Sequence, residues 1–452
     1  MKKYFFNIAV GTVIATTFAA CNSHPQKGAT AAEPAATTDK TTATAAPKMT
    51  KTPLQFAFFL ESSGSMFGYG GGASSFKTAL YDALTRVPEA DGAAHSLAFV
   101  TDKAYPYKGS LSDFMRAADP FAPVKADKSI KTASSELNDI LKNIIATAQT
   151  GKVSVLVSDC IYSLDKANTA NQLDGLKYST KTLFQGVSSD LDVLVWQLAG
   201  DYNGTYYDYL NGKHPYKGTR PYYMVFIAKR GHINAILFDN KYAALRNTES
   251  LRGYKNKAHF TLTNPNTQSF YSVLNATGKQ GAFQKDNDAS SANYIHGLAN
   301  CDARARNGSK FGMVVAADLS GIFADENYKT TAANYALQAT DNFAIDKIVS
   351  LKKATADVQQ NDKTYLGTAT HLIYMSAAKL SVPKQTLNIQ LKSQLPTWIS
   401  ESSTTDDRSL HASPDMTTKT FGLQHLLEGI SEAYRPAGAT TAYFTLPISI
   451  RK

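Results

Sequence analysis

Only three cysteines occur in 452 residues, too few for a disulfide framework. None of His214, His232, His259 and His296 stands in an H-E-x-x-H or other zinc spacing. Small stapled domains and zinc hydrolases are therefore excluded. After residue 20 no run approaches the ~20 uncharged apolar residues of a membrane-spanning helix. Basic residues exceed acidic ones by ten, but they form no dense run and no nucleic-acid motif occurs, which excludes nucleic acid as a partner. The glycine-rich stretch Met66 to Gly72 (MFGYGGG) lacks both phosphate-cradling spacings, so nucleotide binding is not expected there. Ser65 is followed by Met and Phe rather than by the turn of a nucleophile elbow. His95, His214, His232 and His371 have no triad context, and the carboxylates are too scattered to name a glycosidase pair. The chain is read as a non-enzyme.

What is present begins at Lys2 and Lys3, which precede an uncharged apolar stretch from Tyr4 to Ala20 ending in small residues, the layout of a secretory signal peptide. Phe18-Ala19-Ala20-Cys21 resembles a lipobox, with Phe18 where Leu is usual. That resemblance implies cleavage before Cys21 and a diacylglycerol on its thiol. The expected product is a lipoprotein of the cell envelope, in the outer membrane facing the periplasm or the cell surface, held by the lipid alone. Asn22 to Thr52, rich in Ala, Thr, Pro and Lys, reads as a disordered linker. Without Lys2 and Lys3 the net charge is +8, 45 basic against 37 acidic residues, which suits a solvated surface. Cys160 and Cys301 then remain as two buried thiols, or as a pair if their separation allows.

About 400 residues follow, enough for two cores. In 53–249 a near-continuous apolar run, Leu54 to Leu60 (LQFAFFL), reads as a strand buried on both faces. Ser74 to Val87 reads as an amphipathic helix with Phe76, Leu80, Ala83, Leu84 and Val87 on one stripe. Strands at Ser96 to Thr101, Val153 to Ser158 and Asp192 to Ala199, with a helix at Ser135 to Thr147, complete an α/β doubly wound pattern. Residues 200–220 are a Tyr-, Gly- and Asn-rich insertion, expected as a hairpin or protruding loop. A β-prone run at Arg220 to Ala228 and a helix at Ile233 to Leu245 close the domain. From 250 to 452 short β-prone runs at His259 to Thr263, Phe311 to Ala317, Phe343 to Leu351, Thr370 to Met375, Leu387 to Leu391 and Thr441 to Ile450 fit an all-β sandwich-like domain, with a helix near Phe421 to Tyr434 inserted.

In a doubly wound sheet function sits at the carboxyl ends of strands. Three polar clusters fall there: Glu61-Ser62-Ser63-Gly64-Ser65-Met66, Thr132-Ala133-Ser134-Ser135, and Ser158-Asp159. Hydroxyls and carboxylates together suit a hard cation. The set resembles the metal ion-dependent adhesion site of von Willebrand factor type A domains, written Asp-x-Ser-x-Ser, then Thr, then Asp. By that resemblance Glu61, Ser63, Ser65, Ser135 and Asp159 are candidate ligands of Mg²⁺ or Mn²⁺, and an acidic group of a partner completes the coordination. Glu61 replaces the family's Asp and Cys160 replaces a common Gly. The alternative is that Ser62, Ser63 and Ser65 cap the following turn and helix. Phe67, Tyr69, Tyr206 and Tyr207 are candidate contacts to an envelope or extracellular protein or glycan, because Tyr offers large amphipathic area. The expected function is binding or adhesion through this degenerate site. The alternatives are a metal-independent scaffold subunit of an envelope complex and an envelope hydrolase.

Overall fold

The computed structural model describes residues 53–452, apart from residues 73, 90–91, 93, 133–135, 163–168, 211, 247–250, 263–269, 304–309, 323, 325, 410–416 and 436–441. The leader, Cys21, the linker and Ser135 lie outside the described residues.

The apolar run after Pro53 forms β1 (Phe56–Glu61), buried throughout. It pairs in parallel with β2 (His95–Val100) on one side and with β4 (Val153–Ser158) on the other, and β3 (Ala104–Pro106) folds back antiparallel on the outer edge of β2. A strand covered on both faces has no polar side to alternate, which is why FAFFL and VSVLV read as runs. α1 (Ser75–Glu89) follows β1. Its first turn is held by the Ser74 hydroxyl, which accepts from the Lys77 N–H at 3.2 Å. Two short helices, α2 (Leu111–Arg116) and α3 (Ala122–Ala126), follow β3, and α4 (Leu137–Gln149) leads into β4.

After β4, α5 (Thr169–Gln185) crosses over to β5 (Leu191–Tyr207), which turns directly into β6 (Lys213–Lys229). These two 17-residue strands form the predicted hairpin, far longer than residues 200–220. The doubly wound expectation is corrected here. A hairpin without a crossover can only pair antiparallel, and β6 takes the place beside β4, so the seven-stranded sheet is mixed, in the order β3-β2-β1-β4-β6-β5-β7. The predicted helix at Ile233 to Leu245 is broken into α6 (Arg230–Phe238) and a short four-residue helix at Ala243–Arg246.

The predicted boundary at residue 250 is crossed twice. β7 (Tyr254–Phe260) is an edge strand of the large sheet, antiparallel to β5. The inserted helix, Leu423–Ala433, also leaves the sandwich. Leu423, Leu426, Leu427 and Ile430 are buried with Trp398, α4, α5 and the apolar side chains of β4 and β5, while α1 and α6 cover the opposite face. The sandwich itself consists of a four-stranded sheet (Tyr271–Val273, Phe311–Ala317, His371–Ala377, Phe343–Ser350) and a five-stranded one (Ala282–Lys285, Gly297–Asp302, Ala442–Arg451, Lys384–Lys392, Tyr335–Gln338). Cys160 and Cys301 are free buried thiols in different cores, so they do not pair.

The Leu423–Ala433 helix lies against α5 through Gly429 and an ion-pair cluster in which Glu432 meets Lys177 at 2.9 Å and Lys181 at 3.0 Å. A β-carbon on Gly429 would sit 2.5 Å from the Lys177 carbonyl oxygen. Gly429→Ala gains about 1 kcal/mol of helix propensity, but forcing the helices apart costs about 1–3 kcal/mol. The variant is expected to unfold at lower urea than the parent chain; a higher midpoint would contradict this packing.

Candidate functional site

Adjacent parallel strands end together, so β1 and β4 deliver their carboxyl-terminal residues to one place. Glu61 closes β1 and Asp159 follows β4; both are buried, 3% and 2% exposed. The Ser158 hydroxyl donates to Glu61 Oε2 and accepts from the Cys160 N–H at 2.7 Å. Ser65 hydrogen-bonds the Asp159 carboxylate, and its Oγ lies 3.1 Å from Ser63 Oγ. The Ile161 N–H donates to Asp159 Oδ1 at 3.3 Å. The third loop is tied in by the Gly64 N–H, which donates to the Thr132 carbonyl at 3.1 Å. Glu61, Ser63, Ser65 and Asp159 therefore converge, with Thr132 standing for the loop that carries Ser135.

Two local details bear on the serines and on Cys160. Ser65 precedes the 3₁₀ turn Met66–Tyr69, yet its side chain caps no backbone N–H. The Ser62 hydroxyl donates to the Leu60 carbonyl at 3.0 Å. The hydroxyls of Ser63 and Ser65 are thus turned into the site rather than used as caps. Cys160 has φ +55°, a left-handed conformation that favours glycine, at the position where the resemblance puts Gly.

Asp159 has its pKa raised from 3.8 to about 7, first by burial and then by the charge of Glu61; Ser65, the Ile161 N–H and Arg220 oppose the rise. Arg220, 1% exposed, lies with its guanidinium 4.6 Å from the Tyr206 ring centre. A buried carboxylate pair lined by hydroxyl oxygens is the donor chemistry of a hard divalent cation. Among the described residues no three His, Cys, Asp or Glu side chains cluster as a metal site, so a cation here depends on the serine oxygens and on water. Glu61, Ser63 and Ser65, which line the cavity, and Asp159, buried beside them, are the residues that fit it.

Above this floor opens a cavity of about 690 Å³, within the size range of ligand pockets. Its far wall is the β5–β6 hairpin. β5 runs in the same direction as β1 and β4, and past Ala199 and Tyr222 the two hairpin strands, among the described residues, pair with each other and with no other strand. The hairpin therefore extends on the order of 25 Å beyond the sheet, over the carboxyl edge. Asn203, Thr205 and Tyr207, at alternate positions, line the cavity. Close approach of hairpin and loop requires glycine on both sides: a β-carbon on Gly204 would lie 2.7 Å from the Gly68 Cα.

The four aromatic contact candidates divide. Phe67 and Tyr207 are half-buried and line the cavity. Tyr69 and Tyr206 are each 1% exposed, so they offer no surface to a partner. The Tyr69 hydroxyl donates to the Pro221 carbonyl at 2.6 Å and the Tyr206 hydroxyl donates to buried Asp407. In a hairpin with one covered face, every second tyrosine is a core residue. Sequence reading missed Lys125 and Lys213 at the cavity wall, and also Arg220 and Asp407. A lone arginine opening the run RPYYMVFIA was the only local signal for Arg220; Asp407 had none.

Comparison of the chain with protein-family models, with curated proteins and with solved structures gave no match.

Because its folded pKa is raised, Asp159 contributes stability that is fully present below its unfolded value near 3.9 and lost as the pH rises through about 7. In chelator, Asp159→Asn is expected to lose less melting temperature than the parent chain between about pH 4.5 and 8. Equal losses would contradict the coupled burial of Asp159 and Glu61.

Proposed function

We propose that this chain is a lipid-anchored binding protein of the cell envelope, built on a divergent von Willebrand factor type A domain. In this reading it engages a protein or glycan through a degenerate metal ion-dependent adhesion site. The observation that carries the reading is the convergence of Glu61, Ser63, Ser65 and Asp159 at the carboxyl ends of two adjacent parallel strands, where Glu61, Ser63 and Ser65 line an open cavity and Asp159 is buried beside them. The parallel β2-β1-β4 core with an antiparallel edge strand β3 agrees with it. Ser63, Ser65 and Asp159 would hold Mg²⁺ or Mn²⁺, and the cation would supply a coordination position for an acidic group on the partner. Glu61 accepts from the Ser158 hydroxyl, lines the cavity and adds negative charge beside the ligands. The lipid on Cys21 and the linker of residues 22–52 would set the domain at a distance from the membrane.

A second reading, a metal-independent scaffold subunit, draws on one observation. Ser158 already bonds Glu61, Ser65 already bonds Asp159, and the Arg220 charge already opposes the rise in Asp159. Calorimetric titration of Mg²⁺ and Mn²⁺ into the full chain separates the two. A cation that binds only the folded state raises its stability by about 2.7 kcal/mol at 100 times Kd. Saturable heat and a raised melting temperature, both lost in Asp159→Ala, are expected. No heat, with the two proteins melting alike in metal, would leave the scaffold reading in front.

A further inference from the structure

We infer that the cavity takes the end of an acidic glycan, a sugar unit bearing a carboxylate, and that Lys125 and Lys213 select for its charge. This rests on the reading of the cavity as a binding site and names what enters it.

The hairpin is the first reason. A bare carboxyl edge of a sheet offers a broad face to another protein, whereas the arm from Ala199 to Tyr207 stands over that edge and leaves a concave space of about 690 Å³. Such a space admits the end of a chain or one projecting unit, not a flat surface. Lining chemistry is the second reason. The Thr132 and Thr205 hydroxyls and the Asn203 amide both donate and accept, as a ligand dense in hydroxyl groups requires. Two common modes of peptide recognition, strand addition and apolar side-chain pockets, find little here. The cavity's apolar lining is limited to Ile161 and the rings of Phe67, Tyr162 and Tyr207, and the half-buried rings of Phe67 and Tyr207 provide flat faces for the C–H side of a sugar ring.

The charges are the third. Lys125, on α3, holds its ammonium 4.7 Å from the Phe67 ring centre and 2.6 Å from Asp119. An ammonium has three donors, so the Asp119 contact leaves others for a ligand. Lys213, at the start of β6, lies 5.9 Å from the Tyr207 ring centre on the hairpin side. The cavity's two carboxylates are already engaged, Glu61 by the Ser158 hydroxyl and Asp208 by His214 at 2.8 Å, and the two cations stand on separate elements beside the two aromatic faces. A carboxylated sugar stacked there meets positive charge that a neutral sugar cannot use.

The test titrates the full chain, with and without Mg²⁺, with oligosaccharides ending in a uronic or sialic acid, with their neutral counterparts, and with the peptide Gly-Asp-Gly. At least one acidic oligosaccharide is expected to bind tenfold or more tightly than its neutral counterpart, and Lys125→Gln and Lys213→Gln are each expected to reduce that preference. Both lysines are exposed, so the variants should fold, which their melting temperatures check. Equal binding of acidic and neutral sugars, unchanged preference in both variants, or binding of the peptide but of no sugar would overturn the inference. The heat of Mg²⁺ alone reports separately on the cation. Acidic-sugar binding without a Mg²⁺ effect would keep the inference and remove the metal.

Discussion

Two carboxylates buried at the ends of neighbouring parallel strands impose a demand on everything around them. Ionised carboxylates are costly to remove from water and repel each other, so a fold that buries both must supply compensation. Here it takes the form of serine hydroxyls from the β1 loop and the β4 end, one backbone N–H, and a buried arginine reaching in from β6. The demand is met only in part, since Asp159 is still raised to about 7. A site left short of positive charge, open to a cavity and lined by oxygen, is one to which a divalent cation adds the missing component.

The compensation ties distant parts of the chain to the site. Arg220 lies against Tyr206, Tyr206 donates to Asp407, and the other oxygen of Asp407 accepts from the Tyr209 N–H at 3.0 Å. The Tyr209 ring is stacked on Phe421, with centres 4.8 Å apart. The segment inserted between the sandwich strands Lys384–Lys392 and Ala442–Arg451 thus reaches across to brace the hairpin, and the hairpin walls the cavity. This explains why the helix Leu423–Ala433 covers the large sheet instead of the sandwich: it carries the brace to where it is needed.

Much of the site was legible because it lies in local sequence. Apolar runs gave β1 and β4, and the polar residues that end them gave Glu61, Ser63, Ser65 and Asp159. Amphipathic spacing gave α1 to within two residues at either end. The remainder depends on pairing across long separations. Nothing near Leu191 or Lys229 says that β6 will insert beside β4 and turn a doubly wound sheet into a mixed one. Tyr206 and Tyr207 are neighbours of identical type, and only the pleat, fixed by the register of the hairpin, decides which faces the core. The strands at Tyr271–Val273, Ala282–Lys285 and Tyr335–Gln338 are three or four residues long, too short for alternation to register, and they form through their neighbours.

The central claim is that the paired carboxylates and serines form a cation site. Its most direct test is a crystal of the chain grown with Mn²⁺, measured by anomalous diffraction. The account predicts a peak within about 2.5 Å of an oxygen from Ser63, Ser65 or Asp159. Density showing Ser65 still bonded to Asp159, with no anomalous peak in the cavity at saturating Mn²⁺, would contradict it.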